Sequence, residues 1–478
     1  AVLFLGACAA PVRSARRRPP PILDPVTRPL EPPDAPPLSP PGPVLIRNAT
    51  VLTAAGAAHA PGYVLLSSGK IAEVAAGDRE PPPGATVIDG RGKFVTPGLI
   101  DTHSHLGVYP MPSADAHEDG NEMSNPVTAQ VWAEHSFWPQ DPGLWRALAG
   151  GVTTIQVLPG SANLIGGRSF VAKLRLDRTA RAMRFSGAPP GLKIACGENP
   201  KRVYGDRKRE PMSRMANVAG YRAAFQKATE YRRKLAKYER DLAAWRDRQV
   251  KGARRTSGDK PDDPPDPPER DLGMETLAAV LEGRILVHNH CYRADEMSLM
   301  LDLAKEFGFK IRSFHHSLEA YKLRDRLAQE GVAASTWADW WGFKMEAFDG
   351  VPQNAAMLTR AGARAIIHSD SSRDVRRLNQ EAAKARASGK RLGFEVTEEE
   401  ALRWVTLNAA WALGVDDRTG SLQPGKMADV VVWSAHPFSV YALAEKVFVD
   451  GALVYDRLAR RAPLSDFELG TMDPEVVP

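Results

Sequence analysis

Residues 94–105 read FVTPGLIDTHSH, an apolar β-type run ending in Asp101-Thr102-His103-Ser104-His105. Alternate side chains of a strand share one face, so His103 and His105 project to the same side. Alone, a His-x-His pair carries little. Its setting gives it weight, because downstream β-type runs alternate with helical stretches, the pattern of a parallel sheet with crossover helices. The runs are GVTTIQVLP (151–159), LKIACG (192–197), RILVHNH (284–290), KIRSFHH (310–316), GVAAST (331–336) and ARAIIHSD (363–370). In a parallel barrel, functional groups gather where strands end and loops leave the rim. Polar residues recur at such ends: Lys193, His288, His316 and Asp370 join His103 and His105. Imidazole and carboxylate donors suit zinc or a similar divalent cation.

The 478 residues suit one large barrel with an appendage, or two to three average domains. Hydrophobic (43%) and charged (25%) fractions are those of an ordinary globular chain. The net charge of +6 is concentrated between Ala219 and Arg255, where 12 Lys/Arg face 4 Asp/Glu. No internal run approaches the roughly 18 uninterrupted apolar residues of a membrane helix. The N-terminus differs. Residues 1–8 (AVLFLGAC) read as the end of a lipoprotein-type signal, with Leu5-Gly6-Ala7-Cys8 resembling a lipobox and Cys8 as the lipidation site. The competing reading is a ragged apolar terminus with an incidental cysteine. Residues 9–43 form a Pro-rich tether. This pattern implies a periplasmic or outer-membrane-anchored bacterial lipoprotein that meets the membrane only through its lipid. Cys196 and Cys291 each follow a candidate ligand by three residues on neighbouring strands, so a disulfide across the rim is conceivable.

Residues 44–97 and 420–457 read as short strands with Gly-Lys and Asp-Gly turns, and form one small β domain from both chain ends. Residues 98–419 form the barrel, and 458–478 a C-terminal tail. A basic helical insertion at 206–271 interrupts the barrel. Tyr221, Phe225, Ala228, Tyr231, Leu235, Tyr238, Leu242 and Trp245 make one apolar stripe on it, and DKPDDPPDPPERD ends it. It reads as a packing arm, a lid, or a membrane or nucleic-acid contact.

The chain resembles the amidohydrolase superfamily. PGLIDTHSH is similar to its first-strand metal motif and GVTT to a second-strand element. NAA, LGV and TGSLQPGKMADVVVW are similar to its closing segment. The likeness runs from about Val44 to Asp456, nearest the imidazolonepropionase-like proteins and the Xaa-Pro and Xaa-Arg dipeptidases. It implies a TIM-type (β/α)8 barrel with a small composite β-sandwich, and hydrolysis of an amide-type C–N bond in a small molecule or short peptide. By the same resemblance His103 and His105 hold the buried metal. Lys193 corresponds to a lysine that many members carry carboxylated, as a bridge between two zinc ions. An unmodified Lys193 implies one metal instead. His288 and His316 match the strand-5 and strand-6 ligands, with His290 and His315 as alternatives, and Asp370 matches the strand-8 aspartate.

The chemistry this resemblance implies is metal-assisted hydrolysis. Water on the metal has its pKa lowered from 15.7 towards roughly 7, and Asp370 accepts its proton and delivers it to the leaving nitrogen. Loops 158–169 and 196–205 are read as rim loops. Arg168, Arg202, Tyr204 and Arg293 are candidates to grip a substrate carboxylate, and His368 to touch substrate. Trp337, Trp340 and Trp341 either wall a pocket or pack beneath a loop. A homo-oligomer is possible and no nucleic-acid partner is expected. The alternatives are a surface-anchored binding protein without turnover on the same barrel, or a membrane or nucleic-acid contact added by the basic arm.

Overall fold

The computed structural model describes residues 42–56, 58–250, 263–340 and 342–459. Cys8, the tether to residue 41, Trp341 and the tail from residue 460 lie outside the described residues. Five strands open the chain: β1 (Val44–Val51), β2 (His59–Ser67), β3 (Lys70–Ala76), β4 (Thr86–Asp89) and β5 (Phe94–Pro97). Eight follow: β6 (Leu99–Ser104), β7 (Val152–Val157), β8 (Ile165–Lys173), β9 (Gly191–Ala195), β10 (Leu286–His290), β11 (Ile311–His315), β12 (Ala333–Thr336) and β13 (Ala365–Ile367). Three more close it: β14 (Val430–Trp433), β15 (Ala444–Val449) and β16 (Ala452–Asp456).

The first and last groups join. Strands β16, β15, β14, β5, β1, β2 and β3 hydrogen-bond in that order, with β4 on β1. They make one continuous sheet, where a sandwich was expected. Its hairpins turn on Ser68-Gly69 and Asp450-Gly451, both pairs left-handed (φ 52° and 78°, 50° and 77°). Two successive positive φ values match the right-handed twist of the strands they join, and glycine adopts the second without strain. Inward-facing Ile46, Val64, Leu66, Val95, Val430, Val432 and Phe448 form the core of this sheet.

Strands β6 to β13 form the barrel in sequence order. The seam between its last and first strands is crossed where the Asp370 N–H donates to His103 O at 3.0 Å. The barrel departs from an all-parallel arrangement at one place. β8 runs antiparallel to both β7 and β9. The physical reason is connection length, because a parallel crossover needs a dozen or more residues and only 158–164 join β7 to β8. Two expectations change with it. Residues 165–169 are strand, not rim loop, and residues 198–205 are helix.

Among the described residues the insertion contains one helix, Arg214–Val250. Its first part packs Tyr221, Phe225 and Ala228 into the barrel core, with Phe225 stacked on Phe309 at 4.4 Å. Residues 233–250 and 263–270 form a separate compact unit.

Candidate metal centre

The C-terminal ends of the barrel strands bring the histidines together. His103 lies at the end of β6 and His105 just beyond it, and their rings lie 5.0 Å apart. Asp370 follows β13, with a carboxylate oxygen 3.2 Å from His105 Nε2 and 3.7 Å from His103 Nε2. Its other oxygen is 3.7 Å from His316 Nε2. Asp370 and His316 both hold left-handed backbone (φ 49° and 57°), a conformation that side-chain-bearing residues keep only where their surroundings enforce it. At His316 this breaks strand alternation, so the consecutive rings of His315 and His316 both reach His103, at 4.9 and 4.3 Å.

Hydrogen bonds fix which nitrogen faces the centre. His105 Nδ1 donates to Leu158 O at 2.8 Å, which leaves Nε2 towards Asp370. His368 Nδ1 donates to Thr336 O at 3.0 Å, so its Nε2 accepts from His316 Nδ1 at 2.8 Å and His316 Nε2 faces Asp370. Tying one nitrogen to a neighbour is how a protein orients a metal-ligating imidazole. His368 therefore orients His316, and its expected contact with substrate is replaced by that bond. The nitrogens of His103, His316 and His368, and the ligand atoms of His103, His105 and Asp370, lie within 4.8 Å of one another in each group.

Burial holds the imidazoles of His103, His290, His315 and His316 well below the usual histidine value. It brings His368 down to about 4 and His288 to about 3. Neutral imidazole is the form that binds a cation, so this donor set fits a divalent metal. Lys193 is fully buried, 3.4 Å from His103 Nε2 and donating to Pro159 O at 3.1 Å. Burial lowers its pKa to about 7, against an upward pull from Asp370.

The two histidine pairs separate by depth. His290 lies at the mouth, its ring 4.6 Å from that of His316, with Nδ1 on Ser161 Oγ at 2.8 Å. His288 lies a layer deeper. A Cβ on Gly191 would meet His288 Cδ2 at 2.9 Å and Ser169 Oγ at 2.3 Å, so His288 shares the barrel floor with Ser169. The structure brings His103, His105, Lys193, His316 and Asp370 together at the mouth, with His290 beside His316 and His288 deeper.

Asp101 is a positioning residue that the sequence reading passed over. Buried, and raised to about 6 by that burial, it accepts from the backbone N–H groups of His103 and Ser369, each at 3.1 Å. It thereby clamps the two segments that carry His103 and Asp370. Its place inside DTHSH was the available signal.

The carboxylate-gripping candidates divide. Ser169 points into the barrel with Gln156 (3.2 Å), so Arg168 points out, buried with its guanidinium 4.0 Å over Trp132. Tyr204 is buried, donating to Asn125 O at 2.7 Å and accepting from Asn163 Nδ2 at 3.1 Å. Both side chains are engaged in packing contacts, which argues against the substrate role expected of them. Arg202 and Arg293 do line a cavity of about 1030 Å³ with Glu198, Lys322, Glu346 and Phe348. Arg293 already holds Asp295 in two bonds of 2.9 and 2.8 Å.

Aromatic rings wall the centre. Trp337 stacks on His316 at 4.5 Å and on Trp340 at 5.4 Å, and donates to Ser369 O at 2.9 Å. Tyr292 lies 5.6 Å from His316, with the Lys344 ammonium 4.0 Å above its ring. Trp337 is 5% exposed, so it packs beneath the loop as well as against the histidines. Cys196 and Cys291 form a disulfide between the ends of β9 and β10, with Cα atoms 5.3 Å apart.

Residues 281–455 match the Amidohydrolase family (Amidohydro_3). The chain is 33% identical over 445 residues to the amidohydrolase tasK of Hapsidospora irregularis, covering 87% of this chain and 43% of that protein. It thus spans less than half of that relative's length. It is 25% identical over 466 residues to a 5-methylthioadenosine/S-adenosylhomocysteine deaminase of Symbiobacterium thermophilum, covering 86% and 93%. The solved structure of an amidohydrolase from Thermotoga maritima MSB8 is similar at a TM-score of 0.75 and 36% identity, covering 87% of this chain and 100% of that one.

Proposed function

This chain belongs to the amidohydrolase family, and from that premise we propose that it hydrolyses an amide-type C–N bond in a small molecule or short peptide. One observation carries the reading: three imidazole Nε2 atoms converge on the Asp370 carboxylate at 3.2 to 3.7 Å, each with its other nitrogen engaged. We assign His103, His105 and Asp370 to one divalent cation, and His290 and His316 to a second, with Lys193 between them. His290 replaces His288 because its ring, not that of His288, neighbours His316. When bound, such a cation supplies Lewis acidity and lowers the pKa of its water from 15.7 towards roughly 7.

Asp370 is the general base. Its side chain is 25% exposed, which leaves it open to water and substrate. It accepts the proton of the attacking water and returns it to the leaving nitrogen. Lys193 is suited to carboxylation, because a pKa near 7 leaves much of the amine uncharged at neutral pH. The neutral amine can add CO2 with formation of an N–C bond and release of one proton, and the resulting carbamate would supply anionic oxygen donors to a cation. An unreacted amine would leave one cation. Tyr292, Trp337 and Phe343 favour an apolar or aromatic group beside the scissile bond.

The Cys196–Cys291 disulfide supports a protein that works in an oxidising compartment, as a lipid-anchored periplasmic protein would. Incorporation of labelled fatty acid that survives Cys8→Ser would remove the anchor from this proposal. The decisive test of the activity is metal analysis of purified protein, paired with hydrolysis of a dipeptide and lactam panel. We expect one to two divalent ions per chain and turnover of at least one panel class. Fewer than one ion per chain after loading overturns the proposal.

A further inference from the structure

Below the centre the barrel holds two histidines that no catalytic step uses. His315 Nδ1 lies 2.9 Å from His103 Nδ1. His315 Nε2 lies 2.8 Å from Ser313 Oγ and 3.3 Å from His288 Nδ1. His288 Nδ1 lies 2.9 Å from the same hydroxyl. All four residues are at most 0% exposed. They form one continuous column, from the mouth to the layer of Gly191 and Ser169.

We propose that His315, Ser313 and His288 are a positioning column that fixes the proton and orientation of His103, so that its Nε2 is presented to a cation. The proposal rests on the reading that His103 is a metal ligand. Each proton in the column then has one place to go. A cation on His103 Nε2 requires the proton of that neutral ring on Nδ1. His315 Nδ1 must therefore be an acceptor, which places the His315 proton on Nε2. That N–H donates to Ser313 Oγ or to the more distant His288 Nδ1. The Ser313 hydroxyl, accepting on its oxygen, donates its own proton to His288 Nδ1. Both routes make His288 Nδ1 an acceptor and put its proton on Nε2.

This ordering explains the depth of the two pairs. Both ring nitrogens of His315 are engaged, so it has no lone pair for a cation. His288 ends the column on the floor, where its Nε2 and Gln156 Oε1 are a donor and an acceptor without partners among the described residues. In each pair, one histidine faces the centre and the other supports it. An orienting partner of this kind is worth 10- to 100-fold in metal affinity.

The experiment uses apoprotein titrated with zinc alone, against a chromophoric chelator, with imidazole nitrogen spectra of 15N-histidine-labelled protein. The variants are His315→Leu, His315→Asn and Ser313→Ala. Asparagine is the informative rescue, because its Oδ1 replaces an Nδ1 acceptor at the same distance from the backbone. We expect His315→Leu to weaken the tighter zinc site 10- to 100-fold and His315→Asn to recover most of that loss. Ser313→Ala, the smaller change, should weaken zinc only a few-fold while scrambling the His315 tautomer. The inference is overturned if His103→Ala weakens zinc in the wild-type background but neither His315→Leu nor Ser313→Ala changes affinity or tautomer. If His103→Ala leaves zinc affinity unchanged, the metal reading fails first and takes the column with it.

Discussion

The composite sheet and the barrel mouth are equally buried and opposite in chemistry. Leu45, Ile46, Val64, Val95 and Val430 are wholly enclosed in the first, and His103, Lys193 and His368 in the second. Enclosing an aliphatic side chain stabilises by about 1.5–3 kcal/mol, whereas a polar group without its hydrogen bonds costs about 1–3 kcal/mol. The sheet is where this chain gains stability and the mouth is where it gives some up. Two buried lysines make the same contrast at one residue each. Lys173, at the opposite end of the barrel from the mouth, meets Asp429 at 2.9 Å and also Asp450. Among the described residues, Lys193 has only a carbonyl and an imidazole within hydrogen-bonding distance. The one lysine is neutralised by two carboxylates, and the other feels Asp370 without a hydrogen bond to it.

The sharpest break of this contrast is Asp370→Asn. Asparagine keeps the size of the side chain and tolerates left-handed backbone, but it is no base. We expect kcat/KM to fall by about 10^2- to 10^4-fold with the thermal midpoint held or raised. Steady-state kinetics beside a thermal melt decide it, and a large drop in midpoint would mean that the mouth is structural. Phe448→Ala is the converse. It empties a buried position in the sheet core and should cost about 3–5 kcal/mol in urea unfolding. At temperatures where the variant is folded, kcat/KM should stay within about 2-fold, since no catalytic group moves.

The lysines predict a pH dependence. Burial depresses Lys193 from 10.5 to about 7, so between those values the unfolded chain holds a proton that the native one does not. Stability of the metal-free protein should therefore rise with pH across that window, and be lost as pH falls through about 7. Lys193→Met should flatten that slope in urea midpoints taken at pH 7, 8.5 and 10. An unchanged slope would show that Lys193 finds a counter-charge after all.

Much of the mouth was legible because strand ends are written in the sequence. A β-type run carrying His, Lys or Asp near its end identified β6, β9, β10, β11 and β13, and with them the candidates His103, His105, Lys193, His316 and Asp370. The choice within HNH and FHH was not legible. Residues i and i+2 share a face, so His288 and His290 differ only in depth, which depends on the tilt of the barrel. At FHH, the left-handed turn at His316 carries no glycine to announce it. The reversal of β8 was encoded in the short 158–164 connection, yet the Gly- and Ser-rich composition of that stretch reads as loop.

Arg168 was misplaced because one residue of strand register separates a rim group from a packing group, and Tyr204 because residues 198–205 form a helix where a rim loop was expected. Tyr204 gives the smallest and most discriminating effect. Its hydroxyl joins Asn125 O and Asn163 Nδ2 beneath the short helix that carries Arg202 to the cavity. Tyr204→Phe removes one donor and one acceptor from a dry site, a loss of about 1–2 kcal/mol. Unfolding should register that loss while KM stays within about 2-fold. If KM rises tenfold and the melt is unmoved, the hydroxyl contacts substrate, and the boundary between mouth and scaffold lies deeper than drawn.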